Sequence, residues 1–281
     1  MQSKLRLLLI FCLVPSLISC QSAGESGEGE KGTEVSSQAG SKPKIKSFVV
    51  DAVALSKDYK TWYSYHYRTI HLARDFTGLD TDSSLLAKAD FLTKLTSGDF
   101  IALKTSERND VPVYTLQKLN KREPSISATI KNLASNELKN LNMEGKEMPN
   151  FSFTDLKGNL YDRTTSKDKV LVLKCWFIGC VACVKEFPEL NKLVSEYQQN
   201  AGVQFVSLAM DSKPQLEHFL QKKPFNYAVV PNQEEFMQNK LGIMMYPSHL
   251  IVNREGKIVK VVNDVNDLIP ALKKETEQTR L

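Results

Sequence analysis

Two hydrophobic periods alternate through the second half of the chain. Residues 170–177 and 203–209 are almost continuous apolar runs, as strands covered on both faces must be. Between them Phe187, Leu190, Val194 and Tyr197 recur every three or four residues, which predicts a helix over 181–199 with one buried face. Pro188 inside that helix removes a backbone hydrogen bond and predicts a kink. Helices over 214–221 and 233–241, strands over 248–252 and 257–262 around the turn 253–256, and a last helix to about 279 complete the pattern. Ahead of them, 151–156 with Lys157, Gly158 and Asn159 reads as an opening hairpin.

The first half follows a different rhythm. Strands are predicted over 46–55, 99–104 and 111–119. Helical spacing connects Leu85, Ala89 and Leu92, with Gly98 as a stop, and again Ile126, Ile130, Leu133 and Leu141. The result is a small α+β domain over 45–143, preceding an α/β domain over 144–281. Tyr59, Trp62, Tyr63, Tyr65 and Tyr67 make one stretch aromatic-rich; such rings serve as core and half-buried shell more often than as a docking surface. His66 and His71 have no cysteine or paired carboxylate at ligand spacing, so no metal site is expected.

The chemistry sits where the first of the apolar strands ends. Cys180 and Cys183 form a Cys-x-x-Cys that opens the following helix. A helix N-terminus carries roughly half a positive charge and favours thiolate, and residues three apart on a helix share a face and can close a disulfide. Cys180 is then the exposed nucleophile and Cys183 the more buried resolving thiol. Glu186, one turn on, is placed to take the proton from Cys183, or else to complement the helix N-terminus as any early acid does. Trp176 is expected to pack beneath the pair. Lys174, in the strand, either takes part in proton transfer and thiol activation or pairs with an acid.

The N-terminus adds a compartment. Lys4 and Arg6 precede an apolar stretch over 7–18 that is short for a bilayer span and reads, with residues 1–19, as a secretory signal. Leu17-Ile-Ser-Cys20 resembles a bacterial lipobox, which would make Cys20 the lipidated first residue of the mature chain; an ordinary secretory signal cleaved near Ser19 is the alternative. Residues 20–44 are rich in Gly, Ser and Glu with no apolar periodicity, and form a flexible tether of roughly 25 to 30 Å root-mean-square span. The net charge of +5, from 37 basic and 32 acidic residues, is scattered and leaves no nucleic-acid footprint. Five cysteines, of which Cys12 falls in the signal, are too few for a disulfide scaffold, so the Cys-x-x-Cys is a reagent. Cys175, on the core strand, is expected to behave as a small apolar residue.

The dithiol with Trp176, Lys185-Glu186-Phe187-Pro188 after it, and Tyr246-Pro247-Ser248 leading into an apolar strand resembles the TlpA/ResA-like thiol-disulfide oxidoreductases of the thioredoxin superfamily, the broader AhpC/TSA and redoxin-like group. The resemblance implies a thioredoxin-like fold, a central mixed sheet flanked by helices, in the second domain. It also implies a redox-active disulfide in place of a cofactor, a cis-proline at Pro247 beside Tyr246, and an active-site role for Glu186. The implied protein is a lipid-anchored membrane lipoprotein of the cell envelope, facing the periplasm. It would reduce protein disulfides, apocytochrome c among them, with electrons from a membrane thiol donor of the DsbD or CcdA kind. Gly179 before Cys180, Val181-Ala182 between the cysteines, and Lys174 depart from the family pattern, so the redox poise does not carry over. Two rivals fare worse. A thiol peroxidase of the peroxiredoxin type needs Pro-x-x-x-Thr-x-x-Cys, and the residues before Cys180, Trp176 and Phe177 among them, supply neither the proline nor the threonine. A metal-binding thioredoxin-like module lacks a second cysteine pair.

Overall fold

A computed structural model describes residues 44–119 and 123–278. The signal, the tether and Cys20 lie outside the described residues. The described residues belong to one compact unit. Among the described residues no helix is long and apolar enough to cross a membrane.

The N-terminal half is built on a five-stranded sheet. In chain order it runs β1 (Ile45–Ser47), α1 (Ala52–Leu55), α2 (Tyr59–Thr69), β2 (Thr77–Leu79), β3 (Leu85–Leu86), α3 (Lys88–Leu95), β4 (Phe100–Arg108), β5 (Val111–Lys118) and α4 (Pro124–Met143). The strand order is β1-β4-β5-β2-β3. Trp62, Phe91, Leu92, Ile101, Tyr114, Ile126 and Ile130 fill its core. Two expectations change here. The strand over 46–55 stops at Ser47, because the Asp51 carboxylate accepts the Ala54 amide at 2.9 Å and caps a helix. Leu85 belongs to an edge strand, and the helix begins only at Lys88. The aromatic stretch is α2 itself: Trp62 and His66 face the core, while Tyr59, Tyr63 and Tyr67 stack along the exposed side.

The C-terminal half begins with the hairpin β6 (Ser152–Thr154) and β7 (Leu160–Asp162). Then follow β8 (Val170–Trp176), α5 (Val181–Lys185), α6 (Phe187–Glu196), β9 (Val203–Ala209), α7 (Lys213–Leu220), β10 (Ala228–Val230), β11 (Ser248–Val252), β12 (Ile258–Val262) and α8 (Val265–Gln278). The sheet order is β10-β9-β8-β11-β12. β8 and β9 are parallel through the α5/α6 crossover, and β11 and β12 add antiparallel on the other side of β8. This mixed sheet flanked by helices is the expected thioredoxin-like fold. Every residue of β8 is buried, since helices or loops cover both faces of the central strand.

The helix expected over 181–199 is two helices. The Pro188 ring has no N–H to donate and clashes with the carbonyl four residues back, that of Val184. Instead the Glu186 amide closes the first segment on that Val184 carbonyl, and Leu190 opens the second on the Glu186 carbonyl at 3.0 Å. Pro188 thus sits in the first turn of α6, where a missing N–H costs nothing. The helix expected over 233–241 is a single π-turn, Phe236–Lys240.

The two halves meet through α4 and the chain after it. Gly145 and Lys146 exchange backbone hydrogen bonds with Ile258 of β12, and Glu144 receives Lys260 at 2.9 Å.

Candidate active site

Cys180 and Cys183 are joined as a disulfide. Cys180 is the N-cap of α5, and its sulfur accepts the Cys183 amide at 3.2 Å. A backbone N–H aimed at that sulfur favours its thiolate. Cys180 retains 8 % exposure and Cys183 none, the order expected of an attacking and a resolving thiol. The pair rests on a wholly apolar cluster with Trp176, Phe187, Ala209 and Leu216. Trp176 is fully buried beneath it, edge-on to Phe187 at 5.0 Å.

The Tyr246–Pro247 bond is cis. Tyr246 packs against the same apolar cluster, edge-on to Phe177 at 5.7 Å. Burial pushes its hydroxyl up to about 12. The Pro247 carbonyl accepts the Asn263 side-chain amide at 2.7 Å, and the Asn263 oxygen in turn accepts Asn136 at 2.7 Å and Asn140 at 2.8 Å, both from α4. Nothing in the sequence singles out Asn263; it joins the cis-proline loop to the N-terminal half.

A charged cluster gathers around Glu186, the residue that ends α5. Glu186, at the α5–α6 break, is met by three donors: Lys174 Nζ at 2.6 Å and His249 Nε2 at 3.1 Å on Oε2, and the Val265 amide at 3.0 Å on Oε1. Lys174 and His249 are opposite one another in the β8/β11 register, and both side chains are fully buried. Burial alone would raise the Glu186 carboxyl, but the hydrogen bond and charge of His249, and then those of Lys174, outweigh it and hold the group down at about 2. Burial pushes Lys174 below the usual lysine range, against the pull of Glu186. His249 is lowered by burial first and by the Lys174 charge second. The Glu186 carboxylate joins α5, β8, β11 and α8 through these three contacts. Lys174 is paired with that carboxylate. His249 stands two residues beyond Pro247 in the sequence; its contact with Glu186 depends on a cross-strand register that the sequence does not display.

Cys175 points to the opposite face of β8 from Lys174 and is free and buried. Burial pushes its thiol up to about 12, which makes it inert at neutral pH. Among the described residues no group of three or more His, Cys, Asp or Glu side chains is arranged to hold a metal ion.

Residues 145–261 match the AhpC/TSA family. The chain is 27 % identical over 119 residues to the thiol-disulfide oxidoreductase ResA of Bacillus thuringiensis subsp. konkukian, covering 42 % of this chain and 68 % of that one. It is 29 % identical over 120 residues to ResA of Bacillus subtilis, covering 42 % and 66 %. Among solved structures, the thioredoxin domain of a thiol-disulfide oxidoreductase from Bacteroides vulgatus aligns at 25 % identity with a TM-score of 0.43, over 47 % of this chain and 96 % of that one. The C-terminal half is thus similar to the TlpA/ResA-like proteins of the thioredoxin superfamily, and the chain is an oxidoreductase.

The Lys174–Glu186 pair makes an energetic prediction. Lys174→Met, which strands a buried carboxylate, is expected to cost roughly 3 to 5 kcal/mol in urea unfolding of the oxidised chain. Lys174→Met with Glu186→Gln should recover part of that loss. Single-variant costs that add to within about 0.5 kcal/mol of the double variant would show the two groups to be uncoupled.

Proposed function

We propose that the chain is an extracytoplasmic thiol-disulfide oxidoreductase that reduces protein disulfides through Cys180 and Cys183. The observation that carries this is the dithiol itself, with the more exposed sulfur capping a helix and accepting an amide, and the second sulfur buried behind it. Cys180 thiolate attacks a substrate disulfide and forms a mixed disulfide. Cys183 then attacks Cys180 and the reduced substrate leaves, so two sulfur atoms carry the two electrons and no bound cofactor is needed. Resemblance to ResA supports the reaction class, and the signal-like N-terminus ending at Cys20 supports a lipid-anchored, periplasm-facing site in the cell envelope.

The supply of electrons follows from the compartment. The sequence contains no glycine-rich dinucleotide fingerprint, so the dithiol must be regenerated by another thiol protein. A membrane donor of the DsbD or CcdA kind fits that need, and apocytochrome c fits the acceptor side on the family resemblance. On this reading Trp176, Tyr246 and Pro247 support the dithiol, and Lys174 and Glu186 form the charged pair associated with it.

Two measurements test this reading. Cys183→Ser is expected to accumulate a covalent adduct with substrate protein through Cys180, which Cys180→Ser abolishes; no adduct in either variant contradicts the assignment. The Cys180/Cys183 couple, equilibrated against dithiothreitol or glutathione, is expected near or below about −230 mV, as a reductase requires; a value near −120 mV would make the protein a dithiol oxidant.

A further inference from the structure

We infer that His249, rather than Glu186, takes the proton from Cys183 in the resolving step, directly or through one water, with Glu186 and Lys174 as the positioning pair that holds its ring. This rests on the dithiol exchange proposed above and adds to it the identity of the base.

Three observations carry it. Glu186 is an ionised carboxylate and can only accept, so the His249 Nε2 that lies 3.1 Å from it carries the ring proton. That fixes the tautomer and leaves Nδ1 with a free lone pair. Nδ1 is fully buried and no described protein group hydrogen-bonds it. Leaving a buried polar atom without a partner costs about 1 to 3 kcal/mol, so Nδ1 calls for one, which a water or, in the reduced protein, a thiol can supply. The oxidised dithiol has no proton to offer, whereas reduction turns Cys183 into a donor.

The fold puts the ring on the correct side. His249 faces Lys174 across β8 and β11, and both bond Glu186, which caps the helix containing Cys183. Trp176, two residues beyond Lys174 and so on the same face of β8, shares the apolar cluster of Cys183. The charged and titratable groups facing His249 are Lys174 from β8, Glu186 from the α5–α6 break and Asp264 from the turn before α8. Tyr227, buried ahead of β10, faces Glu186. Burial and the positive charge of Lys174 oppose protonation of the ring and the two carboxylates favour it, so a Cys183 thiolate developing beside the ring would add to the side that favours it.

The step balances without a further reagent. In the mixed disulfide, the Cys183 S–H proton moves to His249 Nδ1. The thiolate attacks Cys180 Sγ, the Cys180–Cys183 bond forms, and the bond from Cys180 to the substrate sulfur breaks. The electron pair leaves on the substrate thiolate, which takes the proton back from the imidazolium or from water. The dithiol is oxidised by two electrons and the substrate disulfide reduced by two.

The test separates the two steps in the full chain. The reduced protein reacts with 5,5′-dithiobis(2-nitrobenzoate): the first thionitrobenzoate released reports attack by Cys180, the second reports resolution by Cys183. His249→Gln is expected to slow the second release about 10² to 10⁴-fold at neutral pH while leaving the first within about twofold. Glu186→Gln, which keeps a hydrogen-bond acceptor for the ring, should slow it less. An unchanged second release in His249→Gln, an equal loss of both steps, or a larger loss in Glu186→Gln overturns the assignment. Independently of any variant, ¹⁵N spectra of wild-type imidazoles should give His249 with Nε2 protonated and Nδ1 free in the oxidised chain, and an Nδ1 shift on reduction; Nδ1 protonated in both states contradicts it. Absence of a second, Cys183-dependent release in the wild type would instead sink the exchange reaction itself.

Discussion

One carboxylate ties three elements of the C-terminal half together. Glu186 stands at the break between α5 and α6, receives Lys174 from β8 and His249 from β11 on one oxygen, and receives the first amide of α8 on the other. Removing an ionised carboxylate from water costs several kcal/mol, and the arrangement is stable only because its oxygens are met by donors of good geometry. Pro188 makes this possible. By ending α5 at Glu186 it places that residue at a helix junction, where its side chain can turn under the dithiol toward the sheet.

The same constraint separates two kinds of chemistry. The sulfur atoms lie in a wholly apolar cluster, where Trp176 and Phe187 exclude water and an amide tunes Cys180. The ionisable groups gather in a separate cluster around Glu186. Cys175 is shielded on the far face of β8, so an extra thiol five residues from Cys180 does not compete for the disulfide. The N-terminal half shares core contacts with the second half through Ala73 and Met143, and it reaches the cis-proline loop through hydrogen bonds: Asn136 and Asn140 of α4 hold Asn263, which holds the Pro247 carbonyl and the Ser248 hydroxyl. That chain of amides gives the first half a physical grip on the loop facing the dithiol.

Much of this was legible in the residues and some was not. The strands over 203–209 and 248–252 follow from uninterrupted apolar runs and appear with those bounds. The reactive dithiol follows from two cysteines three apart after a buried strand. By contrast, the apolar alternation over 46–55 predicts one long strand, and a single capping aspartate ends it at once. The three-residue edge strand β10 is too short to carry a period. Lys174 and Glu186 stand out as ionisable residues in suspicious places, yet their pairing with each other and with His249 depends on the register of two strands remote in sequence. Asn263 carries no signal at all, because its role exists only once α4 and the cis-proline loop are side by side.

The most direct test of this account is a carbon-13 NMR titration of the Glu186 carboxyl in the isotope-labelled chain. A midpoint near about 2, far below the ordinary carboxylate value of 4.5, is what the three donors require. A midpoint at or above that ordinary value would mean that Glu186 is an available acid-base group rather than the fixed anion on which the site is built.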